Sequence, residues 1–157
     1  MNRMSREQVI QLVWEARAAG RNPDLRNLDL HGLDLEEIDL KRAMFRGSNL
    51  SGANLSKADL SRTNLSKTDL SGANLNKAKL YLANLREAKL RGAYLQEADL
   101  SHADLRDTDL SWVQLQDANL QGAKFDKAIL KGVDFRNVDL TRVDLSHTYR
   151  DDATFSN

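Results

Sequence analysis

Every fifth residue from Leu25 to Phe155 is large and apolar, Arg150 excepted, and few folds can bury such a series. Of the 27 positions 22 are Leu and four are Phe (Phe45, Phe125, Phe135, Phe155), so the pattern governs the whole chain. An α-helix turns about 100° per residue, which leaves residues five apart roughly 140° off one another and scatters them around the cylinder. A flat strand alternates faces with a period of two, so an odd spacing sends successive leucines to opposite sides. The chain can aim every Leu at one core only by bending once per five residues, each unit forming one short side of a closed coil. The period therefore predicts a solenoid.

The remaining positions fit that geometry. Two residues before each large apolar one stands Ala, Ser, Thr or Val in 23 of 27 units, and between them stands Asp or Asn in 18. One large and one small inward residue per side suits a narrow core, as with Ala53 and Leu55, while Ser56 and Lys57 face water. Asp and Asn recur at bends because their short side chains bond to nearby backbone, so Asn54, Asp59, Asn64 and Asp69 read as turn chemistry rather than as acids. Seven glycines fall at the second residue after the Leu, and Gly32, Gly52, Gly72, Gly92 and Gly132 share one 20-residue grid. Four units per coil would stack them in one column, with Trp112 in the vacant slot.

These units resemble the consensus A(D/N)LXX of the pentapeptide repeat family, as in Ala53-Asn54-Leu55-Ser56-Lys57 and Ala98-Asp99-Leu100-Ser101-His102. The resemblance covers about residues 23 to 155. It implies an all-β solenoid, a right-handed quadrilateral β-helix of nearly seven coils, from a bacterial, cytoplasmic protein.

The ends depart from the repeat. Residues 5 to 19 predict one amphipathic helix, since Ser5 and Gln8 have capping-box spacing, Val9, Leu12, Val13 and Ala16 recur at helical intervals and Gly20 fits a C-terminal stop. It reads as an α-helical cap, because a stack of coils leaves apolar surface and unpaired strand edges at each end. At the other end Arg150 occupies an inward slot, where an unpaired charge costs several kcal/mol to bury. Regular coiling is expected to stop near Thr148, with Phe155 packing back. The expected segments are a capping helix over 1–22, the β-helix over 23–148 and a C-terminal cap or tail over 149–157. No stretch approaches the roughly 20 apolar residues that span a bilayer. No export signal is read at the N-terminus, so the expectation is a cytoplasmic protein without membrane contact.

Chemistry is hard to place on such a chain. The histidines His31, His102 and His147 fall on three different faces, and there is no Cys, so neither a triad nor a thiolate metal site is expected. Gly47 and Gly52 have phosphate-loop spacing, but Ala53 and Asn54 stand where Lys and Ser or Thr are required. No catalytic residue, cofactor or metal is expected, and the protein reads as no enzyme.

Departures from the repeat are more telling. Trp112 replaces the column glycine two positions from Tyr94 on the grid, with Arg91 and Lys131 flanking, which predicts one aromatic patch. Tyr81 and Leu82 replace outward polar residues, with Lys79, Arg62 and His102 on neighbouring coils, which predicts a second. Aromatic residues beside Arg are typical interface anchors. The plainer alternative is that large side chains lie over glycine gaps. The favoured function is a rigid scaffold for an unknown protein partner, monomeric or dimeric through its C-terminal end.

The resemblance also raises the family's DNA-mimicking gyrase modulators. The 23 basic and 23 acidic residues cancel, and the most acidic face of the four-sided arrangement carries only minus three, so the charge that mimicry needs is lacking. Nucleic-acid binding would use the column Arg26, Arg46, Arg86 and Arg106. Nearby Glu87, Asp107 and Asp126 dilute it, so it reads as a solvated face.

Overall fold

A computed structural model of the chain describes residues 4–155. The helix α1 spans Arg6–Ala18 with Ser5 as N-cap. The Gln8 N–H donates to Ser5 Oγ, and Gln8 Oε1 accepts from the Ser5 N–H at 2.8 Å, which is the reciprocal box that the spacing predicts. At the far end Gly20 turns left-handed at φ 65. Its N–H donates to Arg17 O and that of Arg21 to Ala16 O, so two of the last helical carbonyls are satisfied.

From residue 24 onward the chain is a ladder. Each bridge residue pairs in parallel with the one 20 positions on, as Asp24 with Met44, Asn54 with Asn74 and Tyr94 with Gln114. Four pentads therefore make one turn of the coil. Leu55 N–H donates to Asn74 O at 2.7 Å, and Asn74 N–H to Ala53 O at 2.9 Å, so the sides of the central coils are hydrogen-bonded to the coils before and after. Leu25 through Leu100 at each fifth position are wholly buried, with Phe45 among them, and the small residues Ala53, Ala73 and Ala93 interleave. Val9 and Val13 of α1 belong to the same apolar cluster. Fully burying each such Leu stabilises by about 1.5–3 kcal/mol, so the core alone dictates the register.

The polar inward residues are paired. Ser48 Oγ donates to Leu25 O, and the hydroxyls of Thr68 and Thr108 to the carbonyls of Phe45 and Leu85, each 23 residues back. Turn chemistry is as the repeat predicts: the amide two residues after each Asx donates to its Oδ1, as Ser51 to Asn49 and Lys41 to Asp39, both at 3.1 Å. Some Asx residues also bond along the column, Asn54 Nδ2 donating to Asp34 and Asn74 Nδ2 to Asn54. At most second corner residues the backbone is left-handed, and 17 non-glycine residues among those described adopt this conformation.

The C-terminal end differs from expectation. Bridges of Ile129 with Tyr149 and of Asp134 with Thr154 carry the ladder past Thr148. Arg150 is exposed, because no further coil covers its slot among the described residues, and the cost of burying its charge does not arise. Phe155 stacks on Phe135, ring centroids 5.2 Å apart. The irregularity lies earlier. Among the described residues no bridge joins Gln114 to Asp134 or Asn119 to Asp139, and Lys127 N–H donates to His147 O where the register calls for Ser146. Arg142 and His147 are the corners of this stretch that do not turn left-handed. The last coil thus lifts from its neighbour over about three units, opening a cleft beside Gln121, Thr141 and Arg142. Among the described residues the last coil is bonded on one side only, and Val138 and Val143, in slots that Ala fills below, pack against the core but are only half-buried.

Candidate interaction surface

The lattice fixes where each outward side chain emerges, and the departures from the repeat stand proud of it. Trp112 is 48% exposed and sits at a left-handed corner, φ 61. Its backbone N–H donates to Lys131 O on the next coil. The indole lies over Gly132: a Cβ there would come within 2.3 Å of the six-membered ring. Tyr94 is 42% exposed between Asn74 and Gln114 in its bridge column. No ring contact joins Tyr94 to Trp112 among the described residues, and Arg91 is exposed nearby on the coil of Tyr94.

The second group is more closely assembled. Tyr81 and His102 meet edge to face, centroids 6.0 Å apart and planes at 89°. His102 lies over Gly122, whose notional Cβ would stand 2.6 Å from Nδ1. Leu82 is 42% exposed beside them. Trp112 and His102 thus each rest on a glycine of the next coil, and both remain exposed. Resting on a gap orients them; it does not hide them.

Sequence reasoning passed over the outer side of α1. Ile10 and Trp14 are exposed and, with Ile38, line an apolar groove between the helix and the first coil. A helical wheel of residues 5–19 with Trp14 off the buried stripe would have found it.

The Arg column is largely neutralised. Arg26 binds Asp24 through two nitrogens, Arg106 binds Asp104 in the same way, and Arg86 reaches Asp107. His31 and His147 each face an aspartate, Asp29 and Asp126. Among the described residues no group of three His, Asp or Glu is placed to hold a metal ion. Nor is any helix among them long and apolar enough to cross a membrane.

The turn carboxylates set a pH response. The Arg26 guanidinium hydrogen-bonded to Asp24 holds its carboxyl at about 2. Arg136 holds Asp134 well below the usual carboxylate range, and hydrogen bonds from Thr141 and Ser146 lower Asp139 and Asp144. A carboxyl whose pKa is depressed on folding stabilises the fold above its unfolded pKa, and that contribution is lost as pH falls through the folded value. The melting temperature is expected to be flat above about pH 5 and to fall progressively from about pH 4 towards 2. Since these pairs are exposed, the slope should be shallow and weaker in high salt. A melting temperature that rises on acidification would refute this account.

Comparison with known proteins fits the repeat geometry. The family described as pentapeptide repeats (8 copies) matches residues 24–62, 53–92, 83–122 and 118–157, without a gap from 24 to the end. No curated protein sequence matches the chain. Among solved structures, a pentapeptide repeat protein from Nostoc Pcc 7120 is 26% identical, with 99% of each chain covered and a TM-score of 0.43. One from the cyanobacterium Cyanothece 51142 is 26% identical over 77% of this chain and 98% of its own, TM-score 0.40. QnrB1, a plasmid-mediated fluoroquinolone resistance protein, is 19% identical over 85% and 84%, TM-score 0.42. At such TM-scores these superpositions carry no argument, and the family match stands on sequence.

Proposed function

The chain belongs to the pentapeptide repeat family, and on that premise we propose that it is a non-enzymatic rod that presents fixed side chains to a protein partner. The observation that carries the reading is the exposure of Tyr81, Leu82, Tyr94 and Trp112, at 38–48%, on a backbone bonded coil to coil. Such a lattice loses little conformational entropy when a partner docks, which favours recognition. The architecture we assign is a right-handed quadrilateral β-helix of nearly seven coils. Support comes from the 20-residue bridge offset and from Arg6 and Arg17, whose side chains donate to the carbonyls of Asp34 and Asp39 as a cap over the first coil would.

The segments are then 1–22 as capping helix and a repeat body from 23, whose ladder continues beyond 148 to Thr154 and ends in the Phe155 stack. The protein works in the cytoplasm, as a monomer or as a homodimer through the C-terminal end, where Val138, Leu140 and Val143 are half-buried. The contact residues are Trp112 and Tyr94 with Arg91 and Lys131, and Tyr81 and Leu82 with His102.

Affinity capture tests this. Wild-type protein should retain a partner that the Trp112→Ala, Tyr94→Ala double variant or the Tyr81→Ser, Leu82→Ser variant loses by about ten-fold or more, as expected for anchors each contributing above 1 kcal/mol. Identical capture by all three would remove both patches.

A further inference from the structure

One corner of the coil differs from the other three in charge. Residues 41–42, 61–62, 81–82, 101–102, 121–122 and 141–142 stack on it at the 20-residue repeat, and none is acidic. The other corners carry acids such as Glu87 and Asp107, Asp151 and Asp152, or Glu36 and Glu37. On the acid-free corner Arg42 and Arg62 stand in successive coils, both exposed. Neither side chain makes a hydrogen bond or ion pair among the described residues. Arg26 and Arg136 are neutralised by Asp24 and Asp134, whereas Arg46, Arg91 and Arg142, on the other corners or farther along the stack, also lack an ion pair among the described residues. One coil beyond Arg62 come Leu82 and Tyr81, with Tyr81 edge-on to His102 and His102 seated on Gly122. Two arginines on successive coils, whose backbones stack about 4.8 Å apart, thus lead into a fixed apolar step.

Resting on the reading of the rod as a protein-binding module, we propose that this corner takes an acidic, extended protein segment. Its carboxylates meet Arg42 and Arg62, and an apolar side chain seats on Tyr81 and Leu82. The guanidinium fork matches a carboxylate bidentately, and a charge left without a partner in the free protein loses no internal pair on binding. Aromatic and aliphatic groups beside Arg supply the anchor. The strip is only two residues wide, bordered one column away by Asp39 and Asp59, which pair with Arg17 and Lys41, and by Lys79. A single extended segment fits inside that border.

The test is fluorescence anisotropy of the full chain with labelled synthetic peptides that alternate Glu and Ser and carry either Leu or Ser at the centre, and with a labelled oligo-dT strand. The Leu peptide should bind saturably and in preference to the Ser peptide. Arg42→Glu with Arg62→Glu should weaken it about ten-fold, and Arg42→Gln with Arg62→Gln less. Leu82→Ser should abolish the preference for Leu, while Arg46→Glu with Lys127→Glu, on another corner, should change nothing. Circular dichroism melts that match wild type confirm that each variant is folded. Absence of saturable peptide binding, equal binding by the charge-reversed protein, or tighter binding of oligo-dT through the same arginines overturns the proposal. If partner capture survives Arg42→Glu with Arg62→Glu but is lost with Trp112→Ala and Tyr94→Ala, the rod keeps its function and this corner is rejected.

Discussion

Leu75→Ala is expected to cost about 2–5 kcal/mol and to lower the melting temperature by roughly 5–15 °C. Leu75 is wholly buried in the middle of the stack, with Leu55 and Leu95 in the same column on the coils before and after. Deleting most of its side chain forfeits its transfer free energy and leaves a cavity that a backbone bonded on both sides cannot collapse to fill. The matching change at the end, Leu140→Ala, should cost less than about 1.5 kcal/mol, because Leu140 is only half-buried and the coil around it is already loose. In a stack where each coil touches only its neighbours, stability is nearly a sum of local terms. The central lesion should therefore also split the denaturation curve, uncoupling the two halves of the rod. Equal costs at the two positions, measured by chemical denaturation, would sink the account of a rigid centre and a loose end.

That difference between centre and end also marks what the sequence reveals. A period of five excludes helix and flat strand by geometry alone, and the glycine column supplies the 20-residue turn, so the ladder from Asp24 onward was legible residue by residue. Ser5, Gln8 and Gly20 announced both ends of α1 for the same reason: capping is local chemistry. The lapse at Asn119 and Asp139 was not legible. Units there obey the repeat as well as those below, and what they lack among the described residues is a coil above, which no local pattern records. Arg150 shows the converse, since a slot that would be prohibitive inside the stack is harmless at its open end.

Side-chain direction was the other limit. The grid gives Tyr94 and Trp112 neighbouring addresses, yet Tyr94 stays in its bridge column while Trp112 turns along its own to cover Gly132. The free state of Arg42 and Arg62 likewise depends on which acids are already taken, as Lys41 takes Asp59. Address follows from the period, but pairing follows from rotamers.

The seat of Trp112 yields the second large effect. Gly52→Ala and Gly132→Ala both place a side chain at a left-handed corner, φ 62 and 66, which costs about 1–2 kcal/mol, less the gain from a stiffer unfolded chain. At Gly52 the new methyl meets nothing within 4 Å, whereas at Gly132 it would stand 2.3 Å from the indole. The ring must move, so Gly132→Ala should cost about 1–2 kcal/mol more than Gly52→Ala. In a Trp112→Gly background that excess should vanish, giving a coupling energy of about 1 kcal/mol or more in a double-mutant cycle. With Trp14 replaced by Phe, Gly132→Ala should also shift the remaining tryptophan emission to the red as the ring leaves its seat. If Trp112 is a docking anchor, Gly132→Ala should weaken partner capture although the indole is still present, because a displaced anchor regains the rotamer freedom that its seat had removed. An additive cycle with unshifted emission would show that Gly132 does not hold the ring, and that the exposed aromatic of this column is not pre-set for recognition.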